Sequence, residues 1–86
     1  NENTIKLFPN PAVNQDIKIE MKSSSSLVKS FIYNSSGQLI YNKEAFTQNG
    51  YVSLIIPSAD WMSGQYLIKI ISDSGETNSR FLKIEE

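Results

Sequence analysis

Asp60-Trp61-Met62-Ser63-Gly64-Gln65-Tyr66-Leu67-Ile68-Lys69-Ile70-Ile71 holds the only Trp of the chain, then a Gly, then the longest β-rich apolar run. Tyr66, Ile68 and Ile70 share one face of that run, and Leu67, Lys69 and Ile71 share the other. Period two with β-branched and aromatic side chains predicts a strand. Gly64 gives the backbone freedom to enter it, and Trp61 precedes it in a connection. Fifteen residues follow Ile71. Ser72-Asp73-Ser74-Gly75-Glu76 reads as a hairpin loop, and Thr77 to Glu85 as the returning strand. In that strand Leu82 and Ile84 fall on one face, Phe81 and Lys83 on the other.

Working upstream from this hairpin, Tyr51 to Ile56 alternates, with Val52, Leu54 and Ile56 on one face. Pro57 ends it, and Ser58-Ala59-Asp60 suits a single helical turn with Ser58 as cap. Asn49-Gly50 is a strong turn signal. Lys43 to Gln48 is polar around Phe46. Gln38 to Asn42 is a short strand, joined to the strand Leu27 to Asn34 by the turn Asn34-Ser35-Ser36-Gly37, where Gly37 supplies a positive φ. Leu27 to Asn34 carries apolar groups on both faces; Val28 and Ile32 are assigned inward because Lys29 then points out. Ser23 to Ser26 reads as a polar loop. Asp16 to Lys22 places Ile17, Ile19 and Met21 on one face and Lys18, Glu20 and Lys22 on the other. Thr4 to Phe8 is a short strand stopped by Pro9-Asn10-Pro11, and Val13-Asn14-Gln15 completes that loop.

About seven short strands with a turn signal every 8–12 residues predict an all-β fold, an immunoglobulin-like antiparallel β-sandwich. Eighty-six residues form one domain, with residues 1–3 as the end of a linker and 4–86 as the folded unit. The chain starts with Asn1, not Met, so it reads as a segment of a larger protein with any export signal upstream. Apolar runs of a few residues are too short to span a membrane.

The composition bounds the chemistry. A net charge of −1 argues against a nucleic-acid partner, which needs clustered Lys and Arg. With no Cys there is no disulfide frame, thiol catalysis or thiolate zinc site; with no His the usual general base and the commonest metal ligand are missing. The nine carboxylates fall on outward strand positions, turns or the chain end, and read as solvated surface. Asp73 and Glu76 flank a Gly-containing loop without the ligand spacing of a calcium site. The four isolated glycines form no phosphate loop. Asn34-Ser35-Ser36 matches the N-glycosylation pattern, but the turn explains these residues. No cofactor is expected, and the chain reads as a non-enzyme. Trp61 fits two roles, a filler at one open end of the sandwich or, beside Tyr66, a platform for a sugar ring; the filler is favoured because so small a core needs a large apolar group there.

Four stretches together resemble the C-terminal sorting domain of the type IX secretion system of Bacteroidota. Leu7-Phe8-Pro9-Asn10-Pro11-Ala12 is similar to the family's opening "YPNP". Ile32-Tyr33-Asn34-Ser35-Ser36-Gly37-Gln38 is similar to its strand, turn and Gly. Gly64-Gln65-Tyr66-Leu67-Ile68-Lys69-Ile70 is similar to its "GxYxxxv" element, and Arg80-Phe81-Leu82-Lys83-Ile84 to its terminal "KxxK" strand. Trp61-Met62-Ser63 departs from the family's usual Leu-Pro-Ala, and Arg80 stands where Lys is common.

The resemblance implies a non-catalytic secretion signal that directs an upstream cargo domain across the outer membrane. The cargo passes through the periplasm to the cell surface or the medium. Its implied partners are the outer-membrane machinery, including a shuttle protein and a sortase that typically removes the domain, with cleavage near or before Asn1-Glu2-Asn3. Gly64, Tyr66, Arg80, Phe81, Leu82, Lys83 and Ile84 are then the expected recognition residues, while Pro9, Asn10, Pro11, Gly37 and Trp61 belong to the structural motif. Arg80 and Lys83 carry charges that a core does not need. The last hairpin, Gln65 to Glu86, offers an exposed edge for β-augmentation or edge-strand self-association. The competing reading is an immunoglobulin- or fibronectin-like accessory module, or a carbohydrate-binding module, of a secreted enzyme or adhesin.

Overall fold

The computed structural model describes residues 5–73 and 75–84. Eight strands run in order: β1 (Ile5–Phe8), β2 (Ala12–Val13), β3 (Ile17–Lys22), β4 (Leu27–Tyr33), β5 (Leu39–Phe46), β6 (Tyr51–Ile56), β7 (Gly64–Ser72) and β8 (Gly75–Ile84). They form two sheets, β1-β3-β6 and β2-β8-β7-β4-β5, in a sandwich-like arrangement. All pairings are antiparallel except the short parallel contact of β2 with β8, which sets Ala12 beside Lys83 and Val13 beside Ile84.

Alternation decides which side chains meet between the sheets. From the three-stranded sheet, Ile17, Ile19 and Met21 of β3 and Val52, Leu54 and Ile56 of β6 are buried, in the register Ile17 with Ile56, Ile19 with Leu54 and Met21 with Val52. From the five-stranded sheet come Val28 and Ile32 of β4, Tyr66, Ile68 and Ile70 of β7, and Phe81 of β8. Each such aliphatic or aromatic side chain contributes about 1.5–3 kcal/mol of transfer free energy. Ser30 shares the buried face of β4, and its hydroxyl donates to Lys43 O at 2.9 Å, so its burial leaves no unmet hydroxyl.

The inward faces expected for β3, β4 and β6 are those observed, and of the two faces of β7 it is that of Tyr66, Ile68 and Ile70 that is buried. Three details differ from the sequence expectation, and a fourth is left open by it. First, Ala12–Val13 is a strand within the stretch read as loop, because it closes onto the end of β8. Second, β5 continues to Phe46: the polar Asn42, Lys43 and Glu44 pair with Phe31, Ser30 and Lys29 of β4, and the sheet ladder overrides their weak strand propensity. Third, Ser58 to Trp61 is a turn closed by Trp61 N–H donating to Ser58 O at 3.0 Å, and the Ser58 hydroxyl donates to Gln15 O rather than capping a helix. Fourth, Phe81 and Lys83 form the buried face of β8, each 1 % exposed, while Leu82 and Ile84 are 39 % and 36 % exposed. Thr4 and Glu85, expected at strand ends, lie outside the described residues.

Asn49-Gly50 makes the expected tight turn, with Gln48 and Tyr51 exchanging both backbone hydrogen bonds at 2.8 and 3.0 Å. It carries the chain from β5 in one sheet to β6 in the other.

Candidate functional site

The motif residues converge at one end of the sandwich, around the terminal hairpin β7–β8. At Gly64 the backbone adopts φ +147°, which side-chain-bearing residues rarely occupy, while a Cβ there would meet nothing within 4 Å. Glycine is therefore required for conformation and not for space. The bend lets the Tyr66 hydroxyl, two residues into the strand, donate back to Met62 O. This is the physical content of the Gly-x-Tyr spacing: one residue turns the chain and the other ties the turn to the core. Gly64→Ala is expected to lower stability by about 1–3 kcal/mol through backbone strain alone, read as a shift in the urea midpoint. An unchanged midpoint would show that another residue type fits this bend.

Tyr66 stacks on Phe81 at 5.2 Å between centroids, and Trp61 lies 5.3 Å from Tyr66, 6.5 Å from Phe81 and 6.0 Å from Tyr41. Trp61 is half-buried against the core among these rings. Packing of this kind adds about 0.5–1.5 kcal/mol per ring pair beyond burial.

Beside the rings, three distant segments meet at Lys83. Its ammonium donates to Gln15 O at 3.3 Å and to Ala59 O at 3.2 Å. Ala59 N–H donates to Asp16 Oδ1 at 3.1 Å, and the Ser58 hydroxyl donates to Gln15 O at 3.3 Å. Just before Lys83, Leu82 N–H donates to Asn10 Oδ1 at 3.1 Å. Asn10 between its two prolines thus accepts from the terminal strand, and β2 then runs alongside Lys83 and Ile84. The expectation that a core has no use for the charge of Lys83 is corrected: its amine joins the loop after β2, the connection before β7 and the end of β8. A buried amine is retained only where acceptors replace its water, and here they are main-chain carbonyls.

The far end of the hairpin is tied as well, since Asp73 N–H donates to Ser25 Oγ at 2.9 Å. Gly37 (φ +85°) sits in the β4–β5 turn, where Asn34 Oδ1 accepts from Ser36 and Gln38 N–H, each at 3.0 Å. The motif strand is thereby divided by its own alternation. Gly64, Tyr66, Phe81 and Lys83 build the end of the sandwich. Arg80, Leu82 and Ile84 face outward, and before its last two residues β8 has no strand beyond it. Gln15, Asp16 and Ala59 were not singled out from sequence, and Ser58 was read only as a helix cap. Two of them act through main-chain carbonyls, which have no residue signature.

Among the described residues no group of three or more His, Cys, Asp or Glu could hold a metal ion. In solved structures the fold is widely used. The chain superposes on part of a thermostable endoglucanase from Alicyclobacillus acidocaldarius with TM-score 0.76 and 9% identity, covering 96% of this chain and 15% of that one. CopC from Methylosinus trichosporium OB3b gives TM-score 0.60 and 16% identity, with 96% of each chain covered. A CARDB domain from Pyrococcus furiosus gives 0.57 and 14%, covering 96% of this chain and 93% of that one. At such identities the likeness concerns the fold alone. No curated protein matches the sequence. The model of the family described as "Secretion system C-terminal sorting domain" matches residues 6–85, nearly the whole chain. The chain therefore belongs to the secretion system C-terminal sorting domain family: a non-catalytic domain that marks its cargo for the cell surface or beyond through the type IX secretion machinery.

Proposed function

We propose that the type IX machinery reads this domain on the outward side of its terminal hairpin, and that the inward motif residues serve to present that side. The observation that carries this reading is the split within the motif strand. Phe81 and Lys83 are buried, whereas Leu82 and Ile84 are exposed and Arg80 lies on the same outer face. A receptor that handles unrelated cargos must use what the signal domains share, and on a folded domain it touches only the outward part. Before Leu82, whose N–H is taken by Asn10, β8 has no further strand beside it among the described residues and offers backbone groups to an added strand. The finer assignments are a shuttle protein that carries the domain at the outer membrane and a sortase that removes it. Residues 1–3 are the end of the linker from the upstream cargo, residues 4–86 are the sorting unit, and cleavage falls near or before Asn1-Glu2-Asn3.

The test fuses residues 1–86 to an inert reporter that carries an export signal, in a type IX-competent cell. Surface display or release of the reporter is expected. A triple substitution of Arg80, Leu82 and Ile84 by Ser is expected to leave the fusion folded in the periplasm. Retention of the unsubstituted, folded fusion, while an established sorting domain succeeds in parallel, overturns the reading. Normal export of the triple variant overturns its assignment to the outer face.

A further inference from the structure

The outer face of the five-stranded sheet holds a shallow groove of about 490 Å³, open to solvent, between the β4–β5 turn and β8. Its floor is the cross-strand row Tyr33, Leu67 and Arg80, one residue from each of β4, β7 and β8. Lys69 stands in the next row, paired with Phe31 on one side and Asn78 on the other, with its Nζ 5.9 Å from the centre of the Tyr33 ring. Arg80 and Lys69 are diagonal neighbours on adjacent strands, a separation of roughly 7–8 Å that two long side chains close easily. The ion pairs among the described residues are Lys18 with Glu20 and Lys29 with Glu44, so neither groove cation is matched by a carboxylate there. Glu76 is the other diagonal neighbour of Lys69 on this face, four residues from Arg80, and its carboxylate accepts from Asn78 Nδ2 at 3.3 Å without pairing to Lys69.

We infer that this groove docks an extended polypeptide segment of a partner protein, placing one carboxylate between Lys69 and Arg80 and an adjacent apolar side chain over Tyr33 and Leu67. Charge complementarity selects an acidic residue, since Lys69 and Arg80 form no ion pair among the described residues and outweigh Glu76, the one acid beside them on β8. The half-buried Tyr33 and exposed Leu67 beneath them select an apolar neighbour. The openness of the groove selects a macromolecule: a small ligand gains affinity by burying most of its surface, which this groove does not allow, whereas a polypeptide adds contacts beyond it. Gln65 at the rim supplies an amide for the segment's backbone. This inference rests on the reading that the outward side of the hairpin is the recognised side, and it names the chemistry of what recognises it.

The test is fluorescence anisotropy of the intact chain with two labelled eight-residue peptides, one alternating Glu and Phe and one alternating Lys and Phe. The Glu peptide is expected to bind at least about tenfold more tightly, and to weaken in about 0.5 M salt. Arg80→Glu and Lys69→Glu are each expected to weaken it at least about tenfold with the urea midpoint unchanged, as for other surface changes. Equal affinity for the two peptides, or indifference to both charge reversals, overturns the inference. So does binding of phosphatidylglycerol vesicles without binding of the Glu peptide. Export measured on the same variants separates the two readings. Charge-dependent peptide binding with export unaffected by the reversals supports the groove and removes it from secretion. Export that depends on Arg80 and Lys69 without peptide binding keeps the recognised face and overturns its acidic partner.

Discussion

Phe81→Ala is expected to cost about 3–5 kcal/mol of stability. The ring is 1 % exposed, stacks on Tyr66 and lies next to Trp61, so truncation removes buried area and leaves a cavity beneath both neighbours. A chain of 86 residues has a total stability of roughly 4–13 kcal/mol, so the loss is a large share of the whole. Trp61 in the same cluster reports the transition by its fluorescence during urea unfolding. Phe81→Leu, which keeps most of the volume, is expected to lose far less. A loss below about 1 kcal/mol for Phe81→Ala would mean that the end of the sandwich closes over the gap. In cells the Ala variant is expected to fail in export by unfolding, a different route from that of substitutions on the outer face.

Lys83→Ala is expected to lower stability by about 2–4 kcal/mol, because it removes a buried four-carbon stem, takes the amine donor from Ala59 O and leaves Gln15 O with the Ser58 hydroxyl alone. Lys83→Met separates the two contributions. Met fills the space of the stem and spares the burial of an amine, but it gives Ala59 O no donor and leaves Gln15 O with the Ser58 hydroxyl alone. Its loss is expected to be smaller than that of Ala by about 1 kcal/mol or more. Arg80→Ala, on the outer face of the same strand, is expected to stay within ~0.5 kcal/mol of the parent. Thermal and urea unfolding of the three variants decide the matter. If Lys83→Ala matched Arg80→Ala, the amine would be working in solvent and the terminal strand would be held by β2 and the aromatic cluster alone. The two basic residues of the terminal motif thus have opposite duties: one secures the strand and the other faces what approaches it.

Much of this was legible in the residues. Alternation in Ile17–Lys22 and Tyr51–Ile56 identified the buried face of each strand, because in these stretches polar and apolar positions separate or the larger aliphatic set lies on one side. Gly64 was legible as a conformational residue, and its positive φ is the reason. The length of β5 was not legible, since Asn42-Lys43-Glu44 has little strand character of its own and becomes strand only through pairing with β4. Nor was the short β2, two residues that count as a strand only because the end of β8 lies beside them. Lys69 was recognised as outward, but its place beside Arg80 depends on the register of β7 against β8.

The sequence by itself determined the all-β class, the main strands, the turn residues and, through four motifs in order, the family. Those features are local, written in period-two patterns, glycine and proline positions and short spacings. The tertiary structure alone decided which side of the terminal strand is inside. Phe81 and Lys83 compete there with Leu82 and Ile84, each pair carrying apolar surface, and local pattern does not rank them. The choice falls to Phe81 and Lys83 because the rings of Tyr66 and Trp61 wait on one side of the sheet, and because two main-chain carbonyls, from segments 68 and 24 residues away, stand ready to accept from the amine.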